Sequence, residues 1–88
     1  MKAILTTIGQ DKVGIVAGVS AFLAQKKINI LDISQTIMEN NFTMMMLVEV
    51  SDTANFNQLI DELNQLGQKL GVQIDIRNAD LYRAMHQI

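Results

Sequence analysis

The chain contains no cysteine, no proline and no tryptophan. Without cysteine, disulfides, thiolate nucleophiles and cysteine-ligated zinc or iron–sulfur sites are excluded, as is a CxxC metal carrier. Its one histidine, His86, sits near the C-terminus. A histidine-cluster metal site is therefore excluded, and a histidine-dependent triad would have to reach into the tail. Ser20, Ser34 and Ser51 lie in no nucleophile-elbow pattern. Asp32 and Glu39 are the carboxylates a general acid–base pair would use, but nothing in their spacing brings them together. No catalytic residue and no metal site is assigned, and no cofactor is implied.

Aromatic residues make up 5% of the chain and charged residues 18%. Phe22 and Phe56 belong to helical apolar stripes, so no basic strand carries the exposed aromatics on which RNA bases stack. Seven basic against nine acidic residues give a formal net charge of −2, the wrong sign for binding a phosphate backbone. The charges are uneven. Lys2, Lys12, Lys26 and Lys27 face only Asp11 in the first thirty residues, and Asp32, Glu39, Glu49, Asp52, Asp61 and Glu62 follow with no basic residue among them. Such a run reads as a solvated face. The first residues lack the apolar run and small-residue cleavage site of a signal peptide. No stretch of about 18 residues is apolar enough to span a bilayer. The expectation is a cytoplasmic protein bound to neither membrane nor nucleic acid.

What the chain does have is hydrophobicity, 49% over 88 residues, in one domain whose core is small for lack of interior. KAILTTIG reads as a strand ended by Gly9. IVAGVSAFLAQKK reads as a helix with Ile15, Val19 and Phe22 at helical spacing, widened by Val16 and Leu23. Gly18 lies inside it, with close packing against a sheet as the expected compensation. Lys26 and Lys27 fall in its last turn. In INILDISQTIM the isoleucines change parity between Ile30 and Leu31, so a turn or bulge near 29–31 is predicted. Asn40 and Asn41 suit left-handed turn positions. FTMMMLVEV then puts Phe42, Met44, Met46, Val48 and Val50 on one face of a strand, and Met45 and Leu47 on the other. Both faces are apolar, as in a central strand or one whose second face meets a partner. Met44 to Met46 split between the two faces, so they form packing surface and not a soft-metal stripe.

The second helix follows through Phe56, Leu59, Ile60, Leu63, Leu66 and Leu70. Asp52 or Thr53 is expected to cap it and Gly71 to end it. VQIDIRN is a last strand with Val72, Ile74 and Ile76 inward, and residues 79–88 form a short helix through Leu81, Ala84, Met85 and Ile88. The order is βαββαβ, an α+β ferredoxin-like fold with two helices on one face of a four-stranded antiparallel sheet. Apolar residues on both parities of 31–50 call for a second cover, and a homodimer is predicted.

One segment suggests chemistry. Gly9-Gln10-Asp11-Lys12-Val13-Gly14-Ile15 joins the first strand to the first helix. Gly14 permits close approach of backbone, and the first helical amides are unpaired donors, together an anion or carboxylate seat. Asn29 follows that helix, and its amide offers both donors and an acceptor. A carboxylate at the amides and an ammonium near Asn29 would describe a free amino acid. The alternative is that Asp11, Lys12 and Asn29 supply turn chemistry only.

With AILTTIG, DKVGIVAGVSAFLAQKKINI, DISQTIM and FTMMMLVEV, the chain resembles an ACT domain over essentially its whole length. Asp11, Gly14, Ile15, Val19 and Asn29 meet the family pattern, and Val13 stands where many relatives have proline. The nearer resemblance is to free-standing single-ACT-domain proteins of bacteria and archaea; the ACT regions of the glycine cleavage system repressor and formyltetrahydrofolate deformylase are more remote. The resemblance implies one ACT domain over residues 1–88, with its core at 2–77 and a helical tail. It also implies ligand-dependent regulation without catalysis, side-by-side pairing, and an amino acid held at the interface. Asp11, Val13, Gly14 and Ile15 would form the loop side of the pocket, Asn29 would contact the ligand, and Lys12 would assist electrostatically. The partner in trans would be a metabolic enzyme or regulator. A higher oligomer is compatible with this reading, and a ligand-free adaptor or subunit is the second one.

Overall fold

In the computed structural model the described residues are 1–10 and 13–79, and they follow the predicted order. Strand β1 is Lys2–Gln10, helix α1 Ile15–Gln25, β2 Asn29–Met38, β3 Asn41–Glu49, helix α2 Phe56–Leu70 and β4 Val72–Asn78. All strand pairs are antiparallel, in the order β2-β3-β1-β4. The fold is α+β and ferredoxin-like. The predicted tail helix and His86 lie outside the described residues.

Alternation decides the sheet. Ala3, Leu5 and Thr7 of β1, Phe42, Met44, Met46 and Val48 of β3, and Ile74 and Ile76 of β4 are buried on one face. The helices lay Ile15, Val19 and Leu23 of α1 and Leu59 and Leu63 of α2 against them. Each of the larger side chains removes about 1.5–3 kcal/mol worth of apolar surface from water. The parity conflict predicted at 29–31 is a bulge: Ile30 pairs with Val48 and Asp32 with Leu47, so Leu31 is the extra residue. Thr7 is fully buried, and its hydroxyl has no hydrogen-bond partner among the described residues.

Several local predictions shift. The β2–β3 turn places Glu39 at φ 51° and Asn40 at φ 71°, while Asn41 is already in β3. The left-handed pair is thus one residue earlier than expected, because Met38 pairs directly with Asn41 across a two-residue turn. Helix α1 stops at Gln25, so Lys26 and Lys27 are outside its last turn, and Lys27 turns the chain at φ 59°. Helix α2 is capped by Asn55, whose Oδ1 accepts the Gln58 N–H at 3.1 Å. Neither Asp52 nor Thr53 does this: Asp52 is held by the Met1 amine, and Thr53 closes a turn with Ser51. Gly71 ends α2 in the left-handed conformation, as expected. Gly18 faces the Leu70 side chain of α2 and not the sheet. Strand β1 runs one residue past Gly9.

Candidate functional site

Gly14 caps α1 at φ 94°, and among the described residues no side-chain cap is bonded to the start of this helix. Its carbonyl accepts the Gly18 N–H at 2.8 Å. Positive φ explains why glycine stands here, and the uncapped amides keep the carboxylate-seat geometry available. Ile15 is buried in the core at 2% exposure, whereas Val13 projects fully into solvent. Of the predicted loop residues, Asp11 and Lys12 lie outside the described residues.

Asn29 is elsewhere. It opens β2 opposite Glu49, in the row that contains Lys2, whereas the other end of the sheet holds Gln10, Asn41 and Met38. Eight residue steps along β1 separate these rows, roughly 26 Å at 3.3 Å per residue. The chain leaves the far end of β1 for Gly14, runs back along α1, and only then reaches Asn29. One protomer therefore brings Val13, Gly14 and Ile15 together and keeps Asn29 at the opposite end of the sheet.

Between these two ends runs the outer edge of β2. All ten of its residues are exposed. On the helix side Ile30, Ile33 and Ile37 are 36%, 44% and 57% exposed. An edge this long and apolar is a template for a further strand.

The charge at the Asn29 end belongs to the chain start. The Met1 amine lies 2.9 Å from Asp52, 3.0 Å from Glu49 and 2.7 Å from the Val50 carbonyl. The hydrogen bond that the amine donates to Asp52, then that to Glu49, raises the pKa of the amine above its ordinary value, and the amine in turn lowers that of Asp52. Sequence reading missed a depression of ≈ 190 Å³ between Lys26, Ile28, Val50, Asn55 and Glu62. Its polar walls satisfy one another: Lys26 pairs with Glu62 and Asn55 caps α2. Among the described residues, no group of three or more His, Cys, Asp and Glu side chains could hold a metal ion, and no helix is long and apolar enough to cross a membrane.

This combination of split βαβ halves, glycine-opened first helix and exposed second strand defines a small ferredoxin-like domain with an open sheet edge. The ACT domain family model matches residues 2–77. A UPF0237 protein of Clostridium acetobutylicum is 53% identical over 100% of both chains. An ACT domain protein from Streptococcus pneumoniae has a solved structure with a TM-score of 0.86, 46% identity and 93% of each chain covered. A candidate glycine cleavage system transcriptional repressor superposes at 0.79 with 25% identity, over 86% of this chain and 45% of its own. A formyltetrahydrofolate deformylase from Pseudomonas putida, 14% identical, shares the fold at 0.81 over 89% of this chain and 29% of its own. The chain belongs to the ACT domain family, a family of small-molecule sensing and regulation, and is similar over its whole length to UPF0237 proteins.

Proposed function

We propose that the protein is a homodimeric amino-acid sensor, one domain over residues 1–88, which regulates a metabolic enzyme or regulator in trans. The observation that carries this reading is the separation of Gly14 from Asn29 by the whole length of the exposed β2 edge. Two copies paired antiparallel through β2 bury Ile30, Ile33 and Ile37. They also carry Asn29 of one copy toward the α1 terminus of its partner. Each of the two sites then takes its carboxylate-binding amides from Gly14 and Ile15 of one chain and its polar amide from Asn29 of the other. On this reading Asp11 and Val13 would complete the loop side of that pocket and Lys12 would assist electrostatically, as the family pattern implies. The site exists only in the pair, which links ligand binding to assembly.

The test is thermal unfolding against each of the twenty amino acids at millimolar concentration. A ligand bound only to the folded dimer at 100 times its Kd adds about 2.7 kcal/mol. In a domain of this size that raises the midpoint by roughly 10–20 °C. One selective, saturable shift is expected, lost in Asn29→Ala while the dimer persists. No shift with any amino acid would overturn the sensor reading and leave an adaptor. An undiminished shift in N29A would overturn the pocket.

A further inference from the structure

Among the described residues, the sheet has a second face that neither helix covers. Its rows follow from the register. Asp32, Leu47, Ile4 and Arg77 lie side by side across the four strands, and the next row is Ser34, Met45, Thr6 and Asp75. Ile4, Leu47 and Met45, with Asp32 and Ser34, line a concavity of ≈ 200 Å³, and Ile4 and Thr6 line a second with Asp75 and Arg77. Met45 is 40% and the nearby Ile8 48% exposed. The centre of this face is thus apolar, and its β4 side carries one base and one acid on adjacent rows.

We propose that this open face binds the open face of a second copy, so that edge-paired dimers associate back to back into a tetramer. The occupant is identified by complementarity. A two-fold axis running across the strands at the level of Leu5, Met46 and Ile76 exchanges the two rows. It sets Leu47 on Met45 of the second copy, Ile4 on Thr6, and Arg77 on Asp75, in both directions. That axis leaves β2 on the same side in both copies, so it combines with pairing through β2 into a closed assembly; an axis along the strands would generate an open array. Area supports pairs over single chains. Four strands at about 4.8 Å spacing and roughly 26 Å length present on the order of 500 Å². A stable interface buries about 800 Å² on each partner. One face falls short, and two joined sheets exceed it. The inference rests on the β2 pairing proposed above.

The experiment is sedimentation equilibrium on the full chain from micromolar to near-millimolar concentration, with far-UV circular dichroism as the fold control. The expected species is a tetramer. Arg77→Asp (R77D) or Met45→Lys should reduce it to a dimer with unchanged circular dichroism, and R77D combined with Asp75→Arg should restore it. The edge variant Ile33→Lys separates the two readings. If the wild type is only a dimer and I33K alone dissociates it, the back-to-back contact is refuted and the edge stands. If it is a dimer that R77D alone dissociates, the open face stands and edge pairing fails. A tetramer indifferent to R77D and to Met45→Lys would refute the assignment of the face.

Discussion

Replacing Gly67 by alanine should destabilise the protein although alanine is the better helix former, and the same change at Gly18 should not. Both glycines lie inside helices, where alanine is favoured by about 1 kcal/mol. Their surroundings differ. A Cβ on Gly67 would sit 2.6 Å from the Val72 carbonyl oxygen and 3.5 Å from the Ile74 nitrogen, because α2 turns at Gly71 and runs its backbone against β4. Backbone paired in a sheet cannot step aside. Overpacking of this kind costs about 1–3 kcal/mol, and the rigid neighbour puts it near the upper end. Less the helix gain, Gly67→Ala should lose about 2 kcal/mol. At Gly18 the neighbours are the methyls of Leu70 at 3.1 Å, the tip of a partly exposed side chain that can rotate away. A gain of about 0.5 kcal/mol remains. Urea unfolding at fixed protein concentration measures both. A lower midpoint for G67A and an equal or higher one for G18A, at unchanged slope, is expected. If both rise together, the close approach of α2 to β4 is not what selects glycine at 67.

Three further perturbations read other features. Thr7→Val removes a buried hydroxyl without a partner among the described residues and should stabilise by about 1 kcal/mol, checked by the thermal midpoint; a loss would mean that the hydroxyl is satisfied in solution. Glu39→Asn with Asn40→Gly puts the preferred type I′ pair at two positive-φ positions and should gain about 0.5–1 kcal/mol; no gain in urea unfolding would argue against that turn. The cluster of Met1, Glu49 and Asp52 gives a pH dependence with two limits. The raised amine contributes stability in full below its unfolded pKa of 8.0 and loses it as pH rises through the higher folded value. The lowered Asp52 contributes above 3.8 and loses it as pH falls through its lower folded value. Stability should therefore be flat between those two values and decline outside them, less so in high salt because these groups are exposed. Asp52→Asn should shrink the alkaline decline; an unchanged profile would remove the ion pair from the account.

The sheet was readable because alternation is a local signal. Phe42 to Val50 assigned their own faces, and the parity break among Ile28, Ile30, Leu31 and Ile33 located the bulge without any partner strand. The caps of α2 were less readable: Asp52, Thr53 and Asn55 are all competent, and the choice depends on the Met1 amine arriving from the far end of the chain. The neighbour of Gly18 is equally non-local. At the candidate site the loop chemistry of Gly14 was legible, since positive φ and uncapped amides belong to one short segment. The distance from Gly14 to Asn29 was legible in part, since the predicted helix α1 lies between them, while the full length of β2 between the two ends of the sheet appears only in the strand register. Asp11 and Lys12 remain as the sequence presents them.

The outer edge of β2 also bears on solubility. It is ten residues long, without proline or lysine, and Asp32 is its one charge. These are the devices by which sheet proteins ordinarily discourage runaway strand addition. The bulge at Leu31, which twists and bends the edge, is the other protection it has. A partner strand on this edge, as proposed above, would serve as a chaperone in place: it would occupy the hydrogen-bonding groups that otherwise recruit any extended chain. Mutants that keep the fold but lose the partner would pay in aggregation before they paid in ligand affinity.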